Sequence, residues 1–316
     1  MEDWRNDPSR RILKNMCRVG TAVTVAVVLM RVWLVPTAAD WQTGLFDTNY
    51  WVMGLMLAAL VALAVLGHLA GPVRLEISGR ASLWVALASL LTGVVLAGAG
   101  VLDLLRYYGV LPMNGEAGAL MNLLEYLFAL LGGAALMRLG LALMAEGATR
   151  RGIAQWSILA PVLWMWFRLI NYEMSYESMV RIKDNFFGFV MLILEMLFLF
   201  RLARYTSGIG RVSAGSMVWH GMATAIFAVS GPVARVIMYL LGDNMAYDAY
   251  YLAGPVDMAV GVLALVLGWA LIRGTAPVQS VVSAPSDESV EEDESAAGSA
   301  DTLLCEAEED APEIAE

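Results

Sequence analysis

The sequence predicts an all-α membrane protein, an eight-transmembrane-helix bundle built as two tandem four-helix repeats in parallel orientation. Three observations point there. Of 316 residues, 59% are apolar and only 16% charged, with a mean hydropathy of +0.64. Soluble domains are about 45–50% apolar, so this chain could not cover a soluble surface and a bilayer is its natural solvent. The apolar residues fall into eight stretches that reach or approach the ~20 residues needed to cross ~30 Å of hydrocarbon at ~1.5 Å per residue. Lys and Arg, finally, crowd into alternate loops.

Residues 1–18 are a basic segment carrying Arg5, Arg10, Arg11, Lys14 and Arg18. The first span follows, Val19 to Pro36. Arg31 interrupts it, which suits an uncleaved anchor better than a signal peptide. Seven further spans are expected at Tyr50–Ala70, Ala81–Leu105, Ala117–Met144, Ile153–Glu173, Asn185–Arg204, Ala214–Leu241 and Tyr251–Ile272. All should be helices, because lipid leaves backbone groups no other partner outside a closed barrel. The first half is then 19–144 and the second 145–273. Residues 274–316 hold 13 acidic residues and no Lys or Arg. With few aromatics and a high charge they read as a disordered acidic tail. Its reading as a solvated tail stands beside that of a docking site for a basic protein partner. The net charge of −10 belongs to this tail, since the body carries 20 basic and 17 acidic residues.

Placing the N-terminus inside puts thirteen basic residues on the inner side and three, Arg106, Arg181 and Lys183, in outer loops. That bias implies an even number of spans in a cell membrane with both termini cytoplasmic. The aromatics agree: Trp33, Trp41 and Trp51 fall near the outer boundary, and Trp84, Trp156, Trp219 and Trp269 near the inner one, where amphipathic rings settle. Arg outnumbers Lys 18 to 2, a bias that suggests a GC-rich bacterial genome.

The halves resemble each other. Arg31 matches Arg168, Asn49 matches Asn185, Ser82 matches Ser216, and Glu125 matches Asp257, at offsets that drift only from 137 to 132. Four spans per half preserve direction, so the repeat would be parallel, an arrangement known in transporters.

Compared by depth, Arg31, Arg168, Arg235, Glu125 and Asp257 share one layer, roughly 8–12 Å below the outer surface. Glu195 lies deeper, near the midplane. Ionisable groups at such depth are costly, about 2.5–3.5 kcal/mol each on insertion scales, and face the bundle. One reading is an interhelical clasp, with Arg168 on Glu125 and Arg31 on Asp257. The other is a ligand-binding pocket whose arginine takes an anion or whose carboxylate takes a cation or proton. Glu195 is either a protonation site or the partner of an arginine elsewhere. Arg138, Arg201 and Arg204 should snorkel inward. Pro161, Pro232 and Pro255 lie where spans can kink.

Other chemistry is poorly supported. His68 and His220 have no companion ligands, so no metal and no cofactor is expected. Cys17 and Cys305 form no CxxC or zinc spacing. No HExxH, GxSxG, Walker A or GxGxxG motif is present, and no enzyme is expected. The one large charge block is acidic, which gives nucleic acid no footing. The expectation is a transporter or permease for a small solute, preferably anionic. The alternative is a non-catalytic scaffold or regulatory subunit whose buried charges are structural ion pairs.

Overall fold

The computed structural model describes residues 8–40, 45–46, 49–71, 80–109, 120–144, 157–174, 182–207, 213–240 and 254–273. Eight α-helices lie among them: α1 (Pro8–Ala38), α2 (Asn49–Leu69), α3 (Arg80–Tyr107), α4 (Leu120–Met144), α5 (Ala160–Met174), α6 (Ile182–Ser207), α7 (Ala214–Leu240) and α8 (Pro255–Arg273). Between α1 and α2 the chain makes one small antiparallel bridge, with Ala39 opposite Phe46 and Asp40 opposite Leu45. The described helices belong to one compact unit, Met1–Val278. The expected tail lies outside the described residues.

The fold is therefore all-helical, and six helices, α1 to α4, α7 and α8, are long and apolar enough to cross a membrane. The two helices outside that set are the ones with the most polar business. α5 has only 15 residues, after a 3-10 turn at Ser157–Leu159. α6 is 26 residues long but carries Glu195, Arg201 and Arg204 within its apolar stretch. The first span also starts earlier than expected, at Pro8. Its opening turns are amphipathic: Leu13, Met16 and Cys17 are buried, while Arg11, Lys14 and Arg18 are exposed. The i, i+3, i+4 spacing of the buried set explains why the basic residues are helical.

At the centre stands α7, flanked by α1, α2, α6 and α8. Its membrane-length stretch is 78% buried, against 28% for α2. Small residues allow this: Gly215 lies against the backbone carbonyl of Gly67 in α2, so close that an added Cβ would sit 2.6 Å from that oxygen. Ser213 caps the helix, its hydroxyl accepting from Ser216 N–H at 3.2 Å, which satisfies a first-turn donor. The helix runs on through Pro232, whereas Pro161 and Pro255 sit in the first turns of α5 and α8, where a missing N–H costs nothing.

α3 and α4 form the tightest antiparallel pair. Ser82 donates to the Leu143 carbonyl at 3.0 Å and Ser89 to the Leu136 carbonyl at 2.7 Å. About one turn beyond the Ser89 bond, Gly93 and Gly133 meet face to face. Without a hydrophobic drive between helices in lipid, close backbone packing and such hydrogen bonds hold the pair. Thr92 extends the network to α8 through the Ala259 carbonyl at 3.0 Å. The opposite face of α3 shows Leu83, Leu87, Leu91 and Val94, all exposed, an apolar stripe suited to lipid.

The packing around α7 has no equivalent around α3, which packs chiefly on α4 and α8. The tandem relation between halves therefore rests on the sequence alone. Ser82 and Ser216, matched by position, also do different things: Ser82 bridges two helices, while the Ser216 carbonyl lies 2.7 Å from His220 Nδ1.

A Cβ on Gly133 would lie 2.6 Å from both the Gly93 oxygen and the Ala97 nitrogen. Gly133→Ala should therefore lower stability by about 1–3 kcal/mol, the usual cost of overpacking. Gly54→Ala, in open space, should not. Reversible unfolding in mixed micelles reads the difference.

Candidate functional site

Four helices bring their ionisable residues together. From α5, Trp164, Arg168 and Asn171 fall at i, i+4 and i+7 and share one face. Trp164 is buried and its ring lies 5.4 Å from the Arg168 guanidinium carbon, a cation–π distance. Both terminal nitrogens of Arg168 donate to Asp257 of α8. Nη1 meets Oδ1, and Nη2 meets Oδ2 at 2.9 Å. This bidentate fork is the strong form of the arginine–carboxylate contact.

Local sequence explains why Asp257 is ready for it. Gly254-Pro255-Val256-Asp257 opens α8, with proline in the first helical position. The Gly254 N–H donates to Asp257 Oδ2 at 2.6 Å, so the carboxylate caps its own helix and sits at the positive end of its dipole. Asp257 is fully buried, while the Arg168 side chain is 22% exposed.

Glu125 of α4 approaches from the side. Its Oε2 accepts from Asn171 Nδ2 at 2.6 Å. One turn further along, Phe128 stacks on Phe167 of α5, with ring centroids 5.2 Å apart. Glu125 lies within electrostatic reach of Arg168 and Asp257.

Glu195 of α6 is the outlier. It is fully buried and neither carboxyl oxygen has a hydrogen-bond partner of ordinary geometry. It nevertheless lies against Asp257 and Arg168 and interacts directly with both. Its helix neighbours Met191, Leu192, Leu194, Phe198 and Leu199 are all buried and apolar. Among the described residues one guanidinium thus holds Asp257 and lies within electrostatic reach of Glu125 and Glu195, in a site walled by apolar side chains.

Four of the six expected site residues, Arg168, Asp257, Glu125 and Glu195, are therefore gathered. The expected pairings are corrected. Asp257 is held by Arg168 and not by Arg31, and Glu125 bonds to Asn171 and not to Arg168. Arg31 stands on α1, where its Nη2 reaches Met56 Sδ of α2 at 3.9 Å. Arg235 is in α7, with its side chain outside the described residues. Depth along a span fixes height but not which face a residue occupies, which is how the pairing went astray. Asn171 and Trp164 were missed as site members, although their spacing from Arg168 was visible.

The remaining polar residues stay peripheral. Asp103 and Arg106 form an exposed pair at 3.0 Å, which is worth little. Arg204 covers Phe200 and Arg273 covers Trp269, at 5.9 and 5.5 Å. His68 is exposed and His220 buried. Among the described residues no three His, Cys, Asp or Glu side chains are grouped to hold a metal ion.

No protein-family profile, curated protein or solved structure matches the chain.

The Asn171 amide donates to Glu125, so Asn171→Leu should leave that half-buried carboxyl group short of a partner. The expected cost is about 1–3 kcal/mol, read as a lower unfolding midpoint in micelles. Glu125→Gln in the same protein should recover part of it, because a neutral amide is cheaper to leave unpaired than a carboxylate.

Proposed function

We propose that this protein is a permease for a small solute and that the cluster around Arg168 is its working site. In this reading all eight helices cross a cell membrane, with both termini on the inner side. One observation carries it: an arginine already engaged by one carboxylate sits beside two further carboxyl groups, one of them buried without a hydrogen-bond partner. A purely structural clasp needs one partner for one charge. Extra acidic groups inside an apolar bundle are costly and mark ion or substrate paths by default.

The same arrangement refines the solute. An anion would have to compete with Asp257 for both guanidinium nitrogens and enter a site with three carboxyl groups. A proton or a cation fits the excess of acid better, so the anionic preference drawn from three arginines in one layer is set aside. The protein is read as non-enzymatic, its polar groups serving binding and passage.

A second reading has its own support. The bidentate Arg168–Asp257 pair ties α5 to α8, and a clasp alone would explain that contact. Access by water separates the two.

In a background of Cys17→Ala and Cys305→Ser, a single cysteine at Asn122 stands one turn from Glu125 on about the same face of α4. A membrane-impermeant thiol reagent is applied to intact cells and to inverted vesicles. The permease reading expects labelling from at least one side, slowed by substituting Glu125. A cysteine at Tyr108, which is 70% exposed at the end of α3, serves as the reactive control. Labelling of Tyr108→Cys with none of Asn122→Cys from either side would leave the clasp.

A further inference from the structure

The three carboxyl groups near Arg168 are not equivalent, and the differences are geometric. Asp257 receives two guanidinium N–H groups, the Gly254 N–H and the positive end of α8. Glu125 receives an amide N–H from Asn171 at the half-buried edge of the cluster. Neither Glu195 oxygen has a hydrogen-bond partner of ordinary geometry, and the side chain is fully buried against Asp257 and Arg168. An uncompensated carboxylate in that position would be costly by desolvation and by like-charge repulsion together.

We propose that Glu195 is an exchangeable proton site, with Asp257 as the carboxylate against which its proton is held and Arg168 as the group that responds to its loss. This deepens the permease reading and rests on it. It supplies the ion that the acidic cluster would bind. A metal cation is the weaker occupant, because no three ligating side chains converge among the described residues and hard cations take six or more oxygens. A proton needs one.

The step is an acid–base exchange. An O–H bond forms at one Glu195 oxygen when a proton arrives from water, and the neutral acid then faces ionised Asp257 across the site. When the O–H bond breaks the proton returns to water, and the electron pair stays on Glu195. Arg168 now stands between two carboxylates and is drawn from Asp257 toward Glu195. Since Arg168 fastens α5 to α8, proton occupancy on α6 would be felt as a change in that fastening.

Among the described residues the groups facing Glu195 are few. α5 presents Arg168 and α8 presents Asp257, with Glu125 of α4 further off. On the α7 side Thr224 donates to the Leu194 carbonyl at 3.0 Å, and α7 also carries His220 and Arg235. Arg201 and Arg204 lie along α6 itself.

The test is infrared difference spectroscopy on the full-length protein in lipid nanodiscs, with protons and deuterons as the only probe. The expected result at neutral pH is a carboxylic-acid carbonyl band that shifts in D2O. The band should be lost in Glu195→Gln and retained in Glu125→Gln. Should Glu195→Gln not fold, Glu195→Asp must move the band instead of removing it. A band that survives Glu195→Gln, or that never exchanges with D2O, overturns the proposal. Absence of the band from the native protein while Asn122→Cys is labelled would sink the proton site and leave the permease reading standing. A normal exchanging band with an unlabelled Asn122→Cys would keep the proton site and sink the permease.

Discussion

The fork between Arg168 and Asp257 is the contact on which the polar interior depends. A guanidinium and a carboxylate cannot stay in an apolar bundle apart; breaking such a buried pair by removing one partner costs about 3–5 kcal/mol. The pair is possible because two local structures prepare it. The opening of α8 at Gly254-Pro255 turns Asp257 toward its own helix start and gives it a backbone donor. On α5, Trp164 lies one turn from Arg168 and covers its guanidinium. Asn171, on the same face, leaves Glu125 held close by without taking the arginine.

That site is in turn positioned by packing in which small residues matter more than large ones. Gly93 with Gly133, and Gly215 with Gly67, bring backbones into contact. Ser89, Thr92 and Thr224 then bond across helices to carbonyls of α4, α8 and α6. In lipid, apolar side chains gain nothing by leaving the solvent, so these close approaches set the bundle. α7 fills its centre, and the short α5 is packed on α4 and α6 at one side. The short helix and the one carrying Glu195 are neighbours, which places the least lipid-like helices together around the charges.

Much of this was legible from residues alone, because hydropathy and charge depth are one-dimensional. Helix positions emerged to within a few residues over most of the chain, and the layer holding Arg168, Glu125 and Asp257 was visible as a common height. Glu195 was visible as a lone acid in an apolar span. Azimuth was not legible: nothing in a single span says which neighbour a side chain faces, so Arg31 was paired with Asp257 although it reaches Met56. The early start of α1 was hidden because Arg10, Arg11, Lys14 and Arg18 looked like a polar leader. Only the burial of Leu13, Met16 and Cys17 shows Arg11, Lys14 and Arg18 to be the exposed side of a helix. The repeat of Glu125 and Asp257 placed two acids at one height, but one of them caps a helix against an arginine and the other bonds to an amide. Similar sequence positions acquired different chemistry from their neighbours.

A double-mutant cycle on Arg168→Met and Asp257→Leu tests the central contact most directly. Unfolding free energies of the native protein, both single variants and the double variant are measured in one lipid or micelle system. Each single change should destabilise strongly, and the double variant should cost less than their sum by about 2–3 kcal/mol, the upper range for residues in direct contact. Additivity to within about 0.5 kcal/mol would mean that the two side chains do not hold each other, and the account of the site built on their contact would be wrong.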